Sequence, residues 1–156
     1  WRCHRSASSA LLAMVCDAVV DLDHSLKLKT HQESLAGMLM HGVGRSLQGV
    51  SITEFVAGEI EREHFEGSIA YSAEACDGGG QCSGQFQSRL RDCIGNHVKV
   101  TVYHVPYRND NSNVTNHLVG FKEEAGSDAR HGTGRHTPPF SSGSGGVAQE
   151  EQTEIS

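Results

Sequence analysis

The stretch RLRDCIGNHVKVTVYHVPYRN, Arg89 to Asn109, reads as strand, turn and strand. Its second half is the clearest strand signal in the chain. Val98, Val100 and Val102 fall on one face and Lys99, Thr101 and Tyr103 on the other, the alternation of a half-buried strand over Val98 to Tyr107. Gly95-Asn96 supplies the hairpin turn, because both residues tolerate positive φ. The first half reaches back to Gln85. From Gln85 to Cys93 the pattern alternates, with Phe86, Ser88 and Leu90 on one face. Downstream, Asn109 to Asn116 (NDNSNVTN) reads as a polar loop, and His117 to Lys122 as a closing strand with Leu118, Val119 and Phe121.

Upstream of this region the pattern becomes helical. Glu59 to Ala75 is the longest helix candidate, Glu33 to Met40 is a short one, and Ser46 to Leu47 and Ser51 to Ala57 read as single turns. Ala18 to Leu22 is apolar and β-branched, a strand. His24-Ser25 makes a tight connection to Leu26 to His31, whose alternation reads as a second strand paired with the first. Ser6 to Met14 is a helix whose serines can cap its start. Two strands before the helices and three after them predict an α+β fold, a five-stranded antiparallel sheet with short helices on one face. The expected division is an N-terminal helical extension over 1–14, one domain over 15–124, and a disordered Gly/Ser-rich tail over 125–156. Cys76 to Gly84 (CDGGGQCSG) reads as a flexible loop.

A chain of 156 residues fits one domain of roughly 100–150 residues plus a tail. It begins at Trp1, which reads as a piece of a longer protein. Thirteen Lys+Arg against nineteen Asp+Glu leave a net charge of −6. Without a basic run such a chain is a poor ligand for nucleic acid or for an anionic membrane surface, so neither is an expected partner. The longest apolar stretch, Leu11 to Val20, contains Asp17 and falls short of the ~20 residues that span a bilayer. Five irregularly spaced cysteines do not form a disulfide framework and point to a reducing, intracellular and cytoplasmic setting.

Five pieces, in this order, resemble a PAS domain: DAVVDLD (Asp17 to Asp23), GRSLQGVSITEFV (Gly44 to Val56), EREHFEGSI (Glu61 to Ile69), the Arg89–Asn109 hairpin, and HLVGFKEE (His117 to Glu124). The resemblance covers roughly residues Leu11 to Glu124. It implies a non-catalytic regulatory module that couples a small ligand, a chromophore or a protein partner to an attached effector. It also implies dimerisation through the N-terminal helix and the outer face of the sheet. The apolar stripe Ala7, Ala10, Leu11 and Met14 is therefore the expected contact for a second copy or a protein partner. A ligand in such a domain sits between sheet and helices. Around that position we place Leu39, Leu47, Ile52, Phe55, Phe65, Ile69, Leu90, Val100, Val102, His104 and Leu118. All of these serve equally well as plain core, and a filled core is the default in a small domain.

No catalytic residue, metal or cofactor is expected. Flavin photochemistry of the related LOV type needs a cysteine in a motif resembling G-x-N-C-R-F-L-Q, and Gly44 to Gly49 here has no Asn-Cys pair. A haem ligand on the long helix would be His64, but it lies about 100–140° from the Phe65/Ile69 stripe. His104 shares the face of Val98, Val100 and Val102, as a core histidine or a ligand contact. Cys76 and Cys82 lack the second pair of a zinc site. Glu54, Glu59, Glu61, Glu63 and Glu66 are scattered around a helix and read as a solvated face. Asn113-Val114-Thr115 fits a glycosylation pattern and equally a polar turn. A haem or flavin sensor and a small α+β enzyme remain the alternatives to the regulatory module.

Overall fold

The computed structural model describes residues 2–42, 44–77, 83–109 and 112–125. The 78–82 part of the glycine loop and the expected tail beyond Ala125 lie outside the described residues. The elements are α1 (Arg2–Val15), β1 (Ala18–Leu22), α2 (Glu33–Met38), a 3-10 helix at Ile52–Phe55, α3 (Glu59–Asp77), β2 (Gly84–Arg91), β3 (His97–Asn109) and β4 (Ser112–Glu123). The strands form one antiparallel sheet in the order β1-β4-β3-β2.

The Arg89–Asn109 hairpin joins β2 to β3, with Leu90 opposite Val98 and Ser88 opposite Val100. Its turn is held by one carboxylate. Asp92 Oδ1 accepts the amides of Ile94 and Asn96 at 3.1 and 2.7 Å, Oδ2 accepts Asn96 Nδ2 at 3.0 Å, and Gly95 takes φ +93. Between β3 and β4 the expected polar loop is largely strand. Tyr107 pairs with Asn116, Arg108 with Thr115 and Asn109 with Ser112, with a register shift between Arg108 and Asn109. Main-chain hydrogen bonds carry this end of the hairpin, so it needs no apolar side chains, and the alternation test passes over it.

The sheet has four strands where five are expected. Leu26 to His31 bridges β1 at one point, Leu22 to Leu28, and the segment before the 3-10 helix at another, Lys27 to Ser51. It keeps two main-chain bonds with the end of β1, Asp23 N to Lys27 O and Lys29 N to Asp21 O, both 2.9 Å, and two local features limit the pairing to that point. Asp23 Oδ1 accepts the amides of Ser25 and Lys27, a turn that places Leu26 at φ +60. Beyond it, the main chain bonds to the segment before the 3-10 helix: Leu28 N to Val50 O at 2.9 Å, Gly49 N to Leu28 O at 2.7 Å and Ile52 N to Leu26 O at 2.9 Å.

Strand alternation gives the sheet two unlike faces. The inner face presents Ala18, Val20, Leu22, Leu90, Val98, Val100, Val102, Val119 and Phe121, all buried. On these pack Leu35 and Ala36 of α2, Ile52 and Phe55 of the 3-10 helix, and Phe65 and Ile69 of α3. The i,i+4 spacing of Phe65 and Ile69 sets both on one side of α3. The outer face receives α1, which fits because Gly120 has no side chain. A Cβ there would lie 2.5 Å from Cys16 Sγ and 3.4 Å from Leu12 Cδ2. Among the described residues no helix is long and apolar enough to cross a membrane.

Candidate functional site

Three places are candidates: the layer between sheet and helices, the outer surface of α1, and the clefts between α3 and β2 and beside the β2–β3 hairpin. In the first, Leu39, Leu47, Ile52, Phe55, Phe65, Ile69, Leu90, Val100 and Val102 come together in one buried cluster. His104 lies on the same inner face and is fully buried. Leu118 is not among them. It pairs with Asp21 on one side and Val105 on the other, on the outer face, because β4 turns His117, Val119 and Phe121 inward.

The phase of β4 brings in a residue that the sequence reading missed. His117 is buried and faces His104, with His104 Nε2 and His117 Nδ1 2.9 Å apart. The available signal was the pair Val119 and Phe121, which are two and four residues on from His117, against Gly120 and Lys122 in the other phase. His104 Nδ1 has no hydrogen-bond partner. A bare buried donor is rarer than a bare acceptor, which favours the tautomer in which His104 Nε2–H donates to His117 Nδ1. Burial, then the neighbouring His117, pushes the His104 imidazole down to about 3. His117 is also pushed down, by burial first, with Asp23 opposing and His24 adding to the shift. Both rings therefore stay neutral at pH 7 and serve as polar members of the core.

His64 stands on the solvent side of α3 and meets Phe86 in a T-shaped pair, with ring centroids 6.0 Å apart. Of the acidic residues, Glu61 pairs with Arg89 at 3.6 Å. Among the described residues no three His, Cys, Asp or Glu side chains gather as a metal-binding cluster. Asn113 and Val114 are exposed on β4.

On the outer face, α1 turns Leu12 and Cys16 toward the sheet. Burial, with Asp17 reinforcing it and Lys122 opposing it, raises the Cys16 thiol above its ordinary range. The stripe Ala7, Ala10, Leu11 and Met14 points the other way. Leu11 is 65 % exposed and Met14 83 %, and Val15 beside them is half exposed. At the far end of this face Tyr107 Oη donates to Asp21 Oδ1, and Lys29 Nζ lies 3.2 Å from Tyr107 Oη and 3.8 Å from Asp21.

Two open clefts lie beside β2. One, of about 510 Å³, lies beside the β2–β3 hairpin between Arg45, Phe55 and Arg91. The other, of about 660 Å³, runs between α3 and β2.

No family model matches the sequence, and no curated protein matches it. Solved structures do match. The PAS domain of a protein from Colwellia psychrerythraea is 13 % identical, with a TM-score of 0.59 over 76 % of this chain and 95 % of that one. The light-state structure of the blue-light photoreceptor Aureochrome1 LOV is 12 % identical, with a TM-score of 0.52 over 75 % and 88 %. A PAS domain from a two-component sensor histidine kinase is 11 % identical, with a TM-score of 0.52 over 79 % and 98 %. The likeness resides in the backbone: the sheet order β1-β4-β3-β2, with α2, the 3-10 helix and α3 on one face, gives this chain a PAS-like fold.

Proposed function

We propose that this chain is a non-catalytic regulatory module that works by protein contact, with the exposed stripe of α1 as its dimer or partner surface. The observation that carries this reading is the filled layer between sheet and helices. Phe65, Leu39, Leu47, Ile52, Leu90, Val100 and Val102 meet there with almost no solvent contact, and a group the size of haem or flavin would have to displace several of them. The neighbours support a signalling role, since one comes from a sensor histidine kinase and another from a photoreceptor. The stripe supports the contact role, because Leu11 and Met14 hold apolar surface in water that neither α1 nor the sheet uses.

The test has two parts. The purified chain should show no Soret or flavin band in its visible spectrum; such a band would replace this reading with a cofactor-binding sensor. Light scattering should then show a dimer that Leu11→Glu/Met14→Glu splits without lowering Tm, since surface changes of this kind cost less than about 0.5 kcal/mol. A mass unchanged by the substitutions sinks the α1 interface. A second reading, sensing of a small colourless ligand, rests on His104 Nδ1, a buried polar atom with no partner.

A further inference from the structure

We propose that the free edge of β2, walled by α3, is a docking groove for an extended basic peptide that adds to the sheet as a fifth strand. This surface is separate from the α1 stripe and does not depend on that reading. β2 is an edge strand. Among the described residues its outward side is partly closed at one end, where Val56 bridges Leu90 and Ala57 N donates to Arg89 O at 2.8 Å. That bond shows Arg89 turning its main chain away from β3. Alternation then turns the N–H and C=O of Gln87 and Gln85 the same way, and among the described residues these groups take no main-chain partner. An unpaired edge of this kind is a template for another strand.

The wall fits the edge in length and in chemistry. Tyr71 is 78 % exposed and Ile60 85 %. At about 100° and 1.5 Å per residue they stand on one line of α3 about 16 Å apart, the length of about five strand residues, which is the open run Gly84 to Ser88. The groove itself is lined by His64, Tyr71, Gln85, Phe86 and small residues and carries no carboxylate or guanidinium. At its floor Gly84 lies against Ser72, so close that a Cβ on Gly84 would meet Ser72 Oγ at 2.9 Å, and this hydroxyl has no partner.

Charge decides between occupants. Glu63 and Glu74, both exposed, lie within about 80° of Tyr71 around α3 and form the solvent rim of the groove. A second copy pairing edge to edge would bring its own Glu-rich α3 against this rim, and like charges at that distance repel. In an added strand every second side chain faces α3, and Lys or Arg at those positions meets both the Tyr71 ring and the Glu63/Glu74 rim.

The probe is the peptide acetyl-Lys-Val-Lys-Val-Lys-Val-Lys-amide, titrated into the isotopically labelled 156-residue chain and followed by amide NMR shifts. The expected result is saturable shifts at Gln85, Gln87 and Tyr71, with the Gln85 and Gln87 amides slowed in hydrogen exchange. Gln85→Pro, which removes an edge donor at a position where edge strands accept proline, should weaken binding at least about tenfold. Tyr71→Lys alters only an exposed side chain and should weaken it by a similar factor. Equal binding of the Glu-for-Lys peptide overturns the proposal, as does binding undiminished in both variants or shifts centred elsewhere. A self-dimer dissolved by Gln85→Pro but not by Leu11→Glu/Met14→Glu also overturns it, because it gives the edge to a second copy.

Discussion

His104 Nε2 and His117 Nδ1 face each other at 2.9 Å across neighbouring strands, sealed from solvent, and both imidazoles titrate below their ordinary range. The unfolded chain takes up protons near pH 6.5 that the folded chain refuses. Their contribution to stability is therefore complete above the unfolded pKa and is lost as pH falls below it. For His104, whose folded value is about 3, the loss between about pH 7.5 and about pH 5.5 is about 1.4 kcal/mol, with His117 adding in the same direction. Urea unfolding at these two pH values measures it. His104→Leu should lower stability at both, because it strands His117, yet reduce the difference between them by about one proton's worth. An unchanged pH slope in that variant would show that other groups carry it. At the same scale, Asp92 takes three hydrogen bonds from Ile94 and Asn96. Asp92→Ala leaves two turn amides without their acceptor and should cost about 2 kcal/mol, read as a lower urea midpoint.

Among the elements, α1 depends on a single missing side chain. Cys16 Sγ occupies the space where any residue but glycine at 120 would place its Cβ. Gly120→Val should therefore lift the C-terminal turn of α1 from the sheet. Cys16, now half-buried, should become reactive toward a thiol reagent while the inner core remains folded. A labelling rate equal to that of the parent chain would show that α1 is held by other contacts. The elements that were legible in the sequence are those whose side chains report burial directly. β1 is legible from its apolar, β-branched run, the start of α3 from its helical repeat, and the Val98/Val100/Val102 phase of β3 from unbroken alternation. Leu26 to His31 alternates just as well but divides its main-chain bonds between 21–23 and 49–52, and side-chain pattern carries no information about bonding partner. β4 was read in its extent from His117 but not in its inward set, because Leu118 is as apolar as Val119. Only the pairing with Val105 and Asp21 puts Leu118 on the outer face. The edge of β2 was likewise beyond the sequence, since an edge exists only once strand order is known.

At the scale of the whole molecule the question is whether the layer between sheet and helices is a core or a binding chamber. The two make opposite demands on the same residues. Side chains that line a chamber are partly spared from holding the fold, so trimming one enlarges the chamber at modest cost. Side chains that fill a core leave a void when trimmed, and the surroundings collapse only in part. Phe65 is the sharpest probe, because it is fully buried, belongs to α3 and packs edge-on against Phe86 of β2 with ring centroids 5.4 Å apart. If the layer is core, Phe65→Ala should cost about 3–5 kcal/mol, a large share of the stability of a domain this size. Val100→Ala, smaller but equally buried, should cost less in proportion to the volume removed. Benzene or a similar small apolar probe should then raise the melting temperature of Phe65→Ala and leave the parent chain unmoved, as apolar cavities opened by truncation accept such ligands. The reverse outcome, a parent chain stabilised by the probe and a mild Phe65→Ala, would make the layer a chamber and transfer the proposed regulatory function from the surface of the domain to its interior.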